Sequence, residues 1–278
     1  MLSSTEFSQK YRSDRADFHF TAAGAATLLL LLATPAAAEG DPRFSIGLGA
    51  FFTDRDSNTR IDGETDTGTE VDLENDLGLD KSDTVFRLDA YWRFAEKHRF
   101  DFSAFDLSRS ASKQIDKDII WNDTTFPIST RVDAQLDLAI YKAAYTWIFL
   151  KRDRSFLGAT AGLYVADIGA TLSATGTELR ESSDLTAPLP VVGLRGEYRF
   201  ADRWSIRGSG EIFSIEYGDY DGTLTDLFVG LDFSLTEGIA LGLGVNSVRL
   251  DVGVTKPGFD GEVDWQYDGA MAYVKFDF

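Results

Sequence analysis

Apolar and polar side chains alternate along most of the chain after residue 39, and helical periodicity is nearly absent. In TVFRLDAYWRF, residues 84–94, Phe86 lies on the face opposite Arg87 and Asp89. VVGLRGEYRF, residues 191–200, alternates in the same way. A period of two is typical of a β-strand with two different faces. The pattern therefore predicts an all-β chain.

Strand-like segments recur often enough to form a large sheet. Alternation and turn residues together predict ten strands, at about 43–53, 84–94, 99–109, 131–149, 155–172, 188–200, 204–217, 223–235, 239–253 and 263–278. Eight and twelve strands remain alternatives, because strand ends read from sequence shift by a few residues. Several segments exceed the 9 to 11 residues that cross a bilayer as a tilted strand, so part of the sheet is expected to project beyond it.

The connections between these segments come in two lengths, and this decides between two architectures. Alternation alone also fits a soluble sandwich of two sheets. Short charged connections lie at 95–98, 151–154, 201–203 and 236–238. Longer polar excursions lie near 54–83, 110–129, 173–187 and 255–262. Short turns at one rim and long loops at the other are typical of outer-membrane barrels. We therefore predict a transmembrane antiparallel up-and-down β-barrel with short periplasmic turns and long extracellular loops.

Aromatic side chains cluster beside the short connections. Strand propensity explains why aromatics are abundant, but it does not explain their placement at the same end of successive strands. Tyr and Trp favour the membrane interface, where the ring is apolar and its polar edge stays hydrated. An aromatic girdle is predicted from Trp92, Phe94, Trp147, Phe149, Tyr198, Phe200, Phe233, Phe276 and Phe278.

The last strand supports the same architecture. It reads AYVKFDF and places Val274, Phe276 and Phe278 on one face. A barrel in lipid must pair its last strand with its first, here FSIGLGAFF at 44–52, because lipid cannot satisfy a free sheet edge. The chain resembles the Gram-negative outer-membrane β-barrel families, whose final strand ends in Phe. It looks broadly like the small OmpA-like and OmpW-like barrels, although no motif assigns it to either and those have eight strands.

This resemblance implies a location and several partners. In those families the barrel-assembly machinery recognises the final strand, so Val274, Phe276 and Phe278 would be the assembly signal. The implied location is the outer membrane, in contact with its lipid and lipopolysaccharide. We expect a monomer.

The start of the chain predicts export. Residues 21–32 read TAAGAATLLLLL, follow a region that contains Lys10, Arg12 and Arg15, and precede ATPAAAEG. This order is that of a signal peptide, with cleavage expected after Ala38. The alternative, a transmembrane anchor, would need roughly 20 apolar residues. The predicted organisation is a signal peptide at 1–38 and a barrel domain at 39–278.

Charge and composition narrow the possible functions. The chain has 27 Lys and Arg against 45 Asp and Glu, a net charge of −18, which argues against nucleic acid as a partner. It has no cysteine and two histidines. His19 would leave with the signal peptide, and His98 lies in a short turn, so a His-dependent hydrolytic site at the outer rim is not expected. We predict no enzyme activity, no cofactor and no metal site, with carboxylate-only chemistry as the alternative.

The polar faces of the strands would line the interior. A barrel this narrow is expected to be filled by paired charges, whereas porins with an aqueous channel generally have 16 or more strands. An open conduit is the alternative. The predicted lumen network consists of Arg87, Asp89, Arg93, Asp101, Arg131, Asp133, Asp137, Arg195, Glu197, Arg199, Arg207, Glu211, Asp226 and Asp232.

The first long loop is strongly acidic. Calcium binding is one reading, but the stretch from Asp54 has Thr59 where an EF-hand needs Gly, which favours a solvated loop. Its segment VDLENDLGLD, residues 71–80, mixes leucines with acids and is expected to fold back over the rim or cover it. Two functions follow: a narrow channel or ligand-conducting barrel for small solutes, or a structural or surface-interaction barrel with a closed lumen.

Overall fold

The computed structural model of the chain describes residues 42–63, 66–217, 220–256 and 259–278. The predicted signal peptide at 1–38 lies outside them. Three short strands, β2 (Val71–Asp72), β5 (Ile119–Trp121) and β6 (Thr124–Phe126), lie within connections. The ten long strands are β1 (Phe44–Asp62), β3 (Ser82–Ala95), β4 (His98–Gln114), β7 (Arg131–Arg152), β8 (Ser155–Ala174), β9 (Arg180–Ala201), β10 (Trp204–Tyr217), β11 (Tyr220–Thr236), β12 (Ile239–Lys256) and β13 (Phe259–Asp277).

The ten long strands form a closed antiparallel barrel. Each pairs with its neighbour along the chain, and β13 also pairs with β1, from Ser45 opposite Asp277 to Asp62 opposite Asp260. Closure leaves no free sheet edge in the part of the barrel next to the short connections. A lipid environment requires this, because lipid cannot hydrogen-bond to an open edge. The prediction of a ten-stranded up-and-down barrel is confirmed. The described residues contain no helix long and apolar enough to cross a membrane.

The two ends of the barrel differ in their connections. At one, the turn end, two residues separate successive strands, at 96–97, 153–154, 202–203 and 237–238. At the other, the loop end, β1 continues to Asp62 and the β8–β9 hairpin reverses over residues 175–179. Much of the sequence that was expected to form long loops near 54–83 and 173–187 is therefore strand. The barrel extends well beyond the length that a bilayer needs.

The outer face changes character along the barrel. Near the turn end it is apolar on all ten strands, with Phe86 76% and Leu243 66% exposed, and we call this band the apolar belt. Trp92, Trp147 and Tyr198 stand outward in the belt near the turn end. Towards the loop end the outward positions become polar, among them Asp54, Asp106, Asp137, Asp167 and Asp268. This boundary marks where lipid contact gives way to water.

The inner face changes in the opposite sense. Within the belt it carries charged and tyrosine side chains, and towards the loop end it becomes apolar. Two loops reach into this apolar end, residues 66–81, which we call the lid, and residues 115–130, which we call the second loop. Their apolar side chains pack against strand residues in one buried cluster that includes Val71, Leu73, Leu77, Leu79, Ile115, Ile119, Trp121, Phe126, Val132 and Leu172.

One strand pair separates before its ends. β9 pairs with β8 up to Arg180, but in the described residues its ladder with β10 stops at Val192 opposite Ile212. Pro188 and Pro190 lie on β9 just beyond this point, towards the loop end. They are two residues apart, so the N–H groups that they lack would both point to the same edge of the strand. A ladder with β10 would lack both donors there. We call this gap the β9–β10 seam.

Candidate functional site

The lumen inside the apolar belt is filled by ion pairs. Six cationic side chains and six carboxylates face one another there, so the formal charges balance. They are Arg87, Arg99, Lys142, Arg195, Arg207 and Lys275, with Asp89, Asp101, Glu211, Asp226, Asp232 and Asp277.

One branch of this network crosses the barrel from β4 to β9 and β10. Asp101 accepts hydrogen bonds from Arg99 and from Thr146, whose Oγ1 lies 2.6 Å away. Arg195 bridges Asp101, at 3.7 Å, and Glu211, at 3.5 Å. Asp101 and Glu211 are both buried. Charges from β4 and from the adjacent strands β9 and β10 therefore meet inside the barrel.

The same branch continues through Lys142. The Lys142 ammonium bonds to Glu211 and lies 3.9 Å from Asp226. Tyr164 donates to Asp226, and Asn246 Nδ2 donates to the other oxygen of Asp226 at 2.6 Å. Each carboxylate thus has several partners, which offsets the cost of placing it away from water.

A second branch is centred on Asp232 near the turn end. Tyr273 donates to this carboxylate, and Lys275 Nζ lies 3.1 Å from it. Arg207 Nε lies 3.2 Å from the Tyr273 hydroxyl and 3.5 Å from Asp232. Gly242 faces the Tyr273 ring, where a Cβ would clash with it. The absence of a side chain there lets the ring lie against the wall.

Little space remains among these charges. A cavity of about 70 Å³ lies between the two branches, lined by residues that include Arg87, Arg99, Lys142 and Lys275. This volume holds a few water molecules, and it is lined by ionised groups that bind one another. In the part of the chain that the structure describes, paired charges therefore occupy much of the belt half of the lumen.

The lid is fixed in the loop half by a second buried ion pair. Glu74 Oε1 lies 2.6 Å from Arg109 Nη1, and the two side chains are 1% and 3% exposed. Glu74 also accepts a hydrogen bond from the Ser57 amide at 2.9 Å. Lys117 Nζ joins the second loop to lid residue Asp76 at 2.6 Å. The expected fold-back of residues 71–80 into the mouth is what the structure shows.

Asp72 organises the turn at the centre of the lid. It accepts hydrogen bonds from the Asn75 amide at 2.7 Å and from the Glu74 amide at 3.1 Å. Burial alone would raise the pKa of Asp72, but these hydrogen bonds to the ionised form lower it below its ordinary value. The Asp72 carboxylate thus stabilises the turn of the lid itself.

An apolar cavity of about 310 Å³ lies in the loop half of the barrel. Its wall is formed by strands from opposite sides of the barrel and by lid residue Leu73. Such a cavity is unusual in an interior that otherwise packs closely. Its inward-facing lining includes Leu136, Leu138, Ile168, Leu250, Val252 and Trp265.

Eleven of the fourteen residues predicted for the lumen network occupy inward-facing positions, with Arg199 exposed at the turn end. The other three, Arg131, Asp133 and Asp137, face outward, which corrects their predicted orientation. They lie on β7 above the belt, where Val132 and Leu136 occupy the inner face. Outward charges are favourable there because that surface meets water, whereas the outward positions of β7 nearer the turn end meet lipid.

Sequence reasoning missed several members of the network. Arg99, Lys142 and Lys275 all take part in it, and Glu74 and Arg109 fix the lid. Lys142 carried a readable signal, because it stands on the β7 face opposite to Asp137. Where the polar residues of one strand switch from its outward to its inward face, the surroundings of the outer wall change from water to lipid.

The predicted assembly signal lies on the outer face of the closing strand. Val274 stands opposite Leu48, and Phe276 opposite Ile46. The Phe278 ring lies 6.2 Å from the Phe44 ring, and its amide donates to the Phe44 carbonyl at 2.8 Å. All of these contacts belong to the pairing of β1 with β13 that closes the barrel.

His98 lies at the turn end, as the first residue of β4. Its Nδ1 is 2.5 Å from the Tyr145 hydroxyl, and its ring stacks on Phe94. It therefore belongs to the aromatic girdle and lies at the end opposite to the lid. In the described residues, no group of three or more His, Cys, Asp or Glu side chains could hold a metal ion.

Comparison with known proteins identifies the fold. No family model matches the chain, and no curated protein matches it. The solved structure of the outer membrane protease OmpT from Escherichia coli matches with a TM-score of 0.54 at 11% identity, covering 87% of this chain and 99% of OmpT.

Two further structures match less well. The CymD monoaromatic hydrocarbon channel has a TM-score of 0.40 at 11% identity, covering 86% of this chain and 90% of CymD. The attachment invasion locus protein Ail of Yersinia pestis has a TM-score of 0.37 at 12% identity, covering 83% of this chain and 99% of Ail. At such identities the likeness concerns the fold, and an OmpA-like or OmpW-like subfamily is not confirmed. With its closed ten-stranded barrel and apolar belt, the chain has the fold of the outer-membrane β-barrel proteins.

Proposed function

We propose that this protein is a structural or surface-interaction barrel that does not conduct solutes. The carrying observation is the ion-pair network, which fills the belt half of the lumen and leaves a cavity of about 70 Å³. The lid and the second loop occupy the loop half. A narrow channel, the other function expected from the sequence, would require both the ion-pair network and the two loops to move.

The energetics of the network favour the closed state. To open a conduit, buried pairs such as Lys142 with Glu211 would have to separate inside a wall surrounded by lipid. Several such pairs are linked through shared carboxylates, so they would have to separate together.

The parts that project beyond the belt supply the surface for interaction. The outer wall there carries Asp54, Asp56, Asp167 and Asp268, and the chain as a whole is acidic. Such a surface suits basic or cation-bridged partners, including the phosphates of lipopolysaccharide when divalent cations are present. Contact with lipopolysaccharide, assembly by the barrel-assembly machinery and a monomeric state are parts of this proposal.

Liposome swelling tests the proposal directly. Vesicles that contain the wild-type protein are expected to swell in small sugars no faster than protein-free vesicles. The matched variant replaces lid residues 66–81 with a short Gly-Ser linker and changes Asp101, Lys142, Arg195 and Glu211 to Ser, and it is expected to admit the sugars. Heat-modifiable electrophoretic mobility verifies that both barrels are folded. Wild-type vesicles that swell as fast as those with the variant, and faster than protein-free vesicles, would contradict the proposal.

A further inference from the structure

We propose that the apolar cavity in the loop half is a binding site for a small apolar molecule. The cavity measures about 310 Å³ and lies within the barrel, above the charged network. Leu138 of β7, Ile168 of β8 and Leu250 of β12 approach it from different sides. This proposal is independent of whether the lumen conducts.

The volume limits the size of the ligand. An engineered apolar cavity of roughly 150 Å³ binds benzene, and ligand pockets begin at roughly 300 Å³. A cavity of about 310 Å³ therefore suits a substituted single ring or a short branched chain. Charged ligands are disfavoured, because the inward-facing lining is dominated by Leu, Ile, Val and Trp side chains.

Trp265 lines the cavity and is 5% exposed. Two hydroxyl groups of this wall already have partners: Thr59 Oγ1 lies 3.3 Å from the Glu262 carbonyl, and Ser57 Oγ accepts from Arg109 at 3.2 Å. An apolar ligand leaves both of these hydrogen bonds in place.

The β9–β10 seam gives this cavity a movable wall. Residues 182–185 of β9 line the cavity, and in the described residues they pair with β8 alone. A strand held on one side opens at lower cost than one held on both. By the register of Val192 opposite Ile212, β10 ends at Tyr217 before it reaches residues 182–185. This wall of the cavity is therefore the part that we expect to open for a ligand.

Bromobenzene tests the site itself. Crystals of the full protein exposed to bromobenzene are expected to show a bromine anomalous peak within the cavity. Equilibrium dialysis against protein-free micelles measures the affinity. Ala170→Phe fills the cavity from β8 and is expected to weaken binding at least tenfold, while Ala161→Phe places the same change on the lipid-facing side of β8 and leaves affinity unchanged.

Two results would overturn the proposal: crystals without a bromine peak in the cavity, or an Ala170→Phe protein that is folded and binds as the wild type does. If Ala170→Phe fails to give a heat-modifiable folded barrel, the anomalous peak in wild-type crystals decides the question alone.

Discussion

Lys142 is the side chain whose removal should most disturb the lumen. It is 5% exposed, and its ammonium is placed between Glu211 and Asp226, which are 0% and 7% exposed. Lys142→Met keeps the side chain's length but leaves two buried carboxylates without their shared cation. We expect a loss of about 3 to 5 kcal/mol in the free energy of unfolding, the range for breaking a buried pair.

Equilibrium urea unfolding in lipid vesicles, followed by tryptophan fluorescence, measures this loss. Lys151→Met is the matched control, because Lys151 lies on the same strand in a pair with Glu96 at 3.6 Å that is 28% and 76% exposed. It should cost under about 1 kcal/mol. In the double variant Lys142→Met/Glu211→Gln, at least about 1 kcal/mol of the loss should be recovered. A Lys142→Met cost equal to that of Lys151→Met would refute the reasoning.

Four further results are expected. Glu74→Gln should loosen the lid and speed its proteolytic cleavage at least tenfold, since it weakens the buried pair with Arg109; unchanged cleavage would argue against that pair as the fixing contact. Phe278→Ser should slow barrel assembly in cells, measured by pulse-chase folding. Amides of residues 180–191 should exchange with deuterium faster than those of β8, because β9 has one partner there. Because the pKa of Asp72 is lowered in the fold, its contribution to lid stability should be complete above its ordinary pKa of 3.8 and fade as pH falls through the lowered value, which lid proteolysis against pH measures.

The barrel itself was accessible from sequence because its determinants are local. The alternation around Arg87 and Asp89 sets the two faces of a strand, and the short charged connections set where strands reverse. The outer ends of the strands were harder to predict. Residues 54–62 are polar on their outward face, so they resemble a loop, yet they continue β1. Their inward face carries Arg55, Ser57, Thr59 and Ile61, and it is buried only because the lid and distant strands cover it, as in the contacts of Ser57 with Glu74 and Arg109.

The lumen network was only partly predictable for a related reason. A period of two shows which residues share a face, but it does not show whether that face meets lipid, water or the interior. Asp137 and Lys142 lie on opposite faces of β7, and only the level of the lipid boundary shows which is inside. The pairing of Glu74 with Arg109 joins residues 35 positions apart. No periodicity within either segment carries that information.

Single-channel recording in planar bilayers tests the central claim, that opposite charges and the lid close the lumen. The purified protein, inserted as a folded barrel, should give no discrete current steps above the bilayer baseline in molar KCl. The lid-deleted variant with the four Ser substitutions should give them under the same conditions. Reproducible open-channel steps from the wild-type protein would contradict the account.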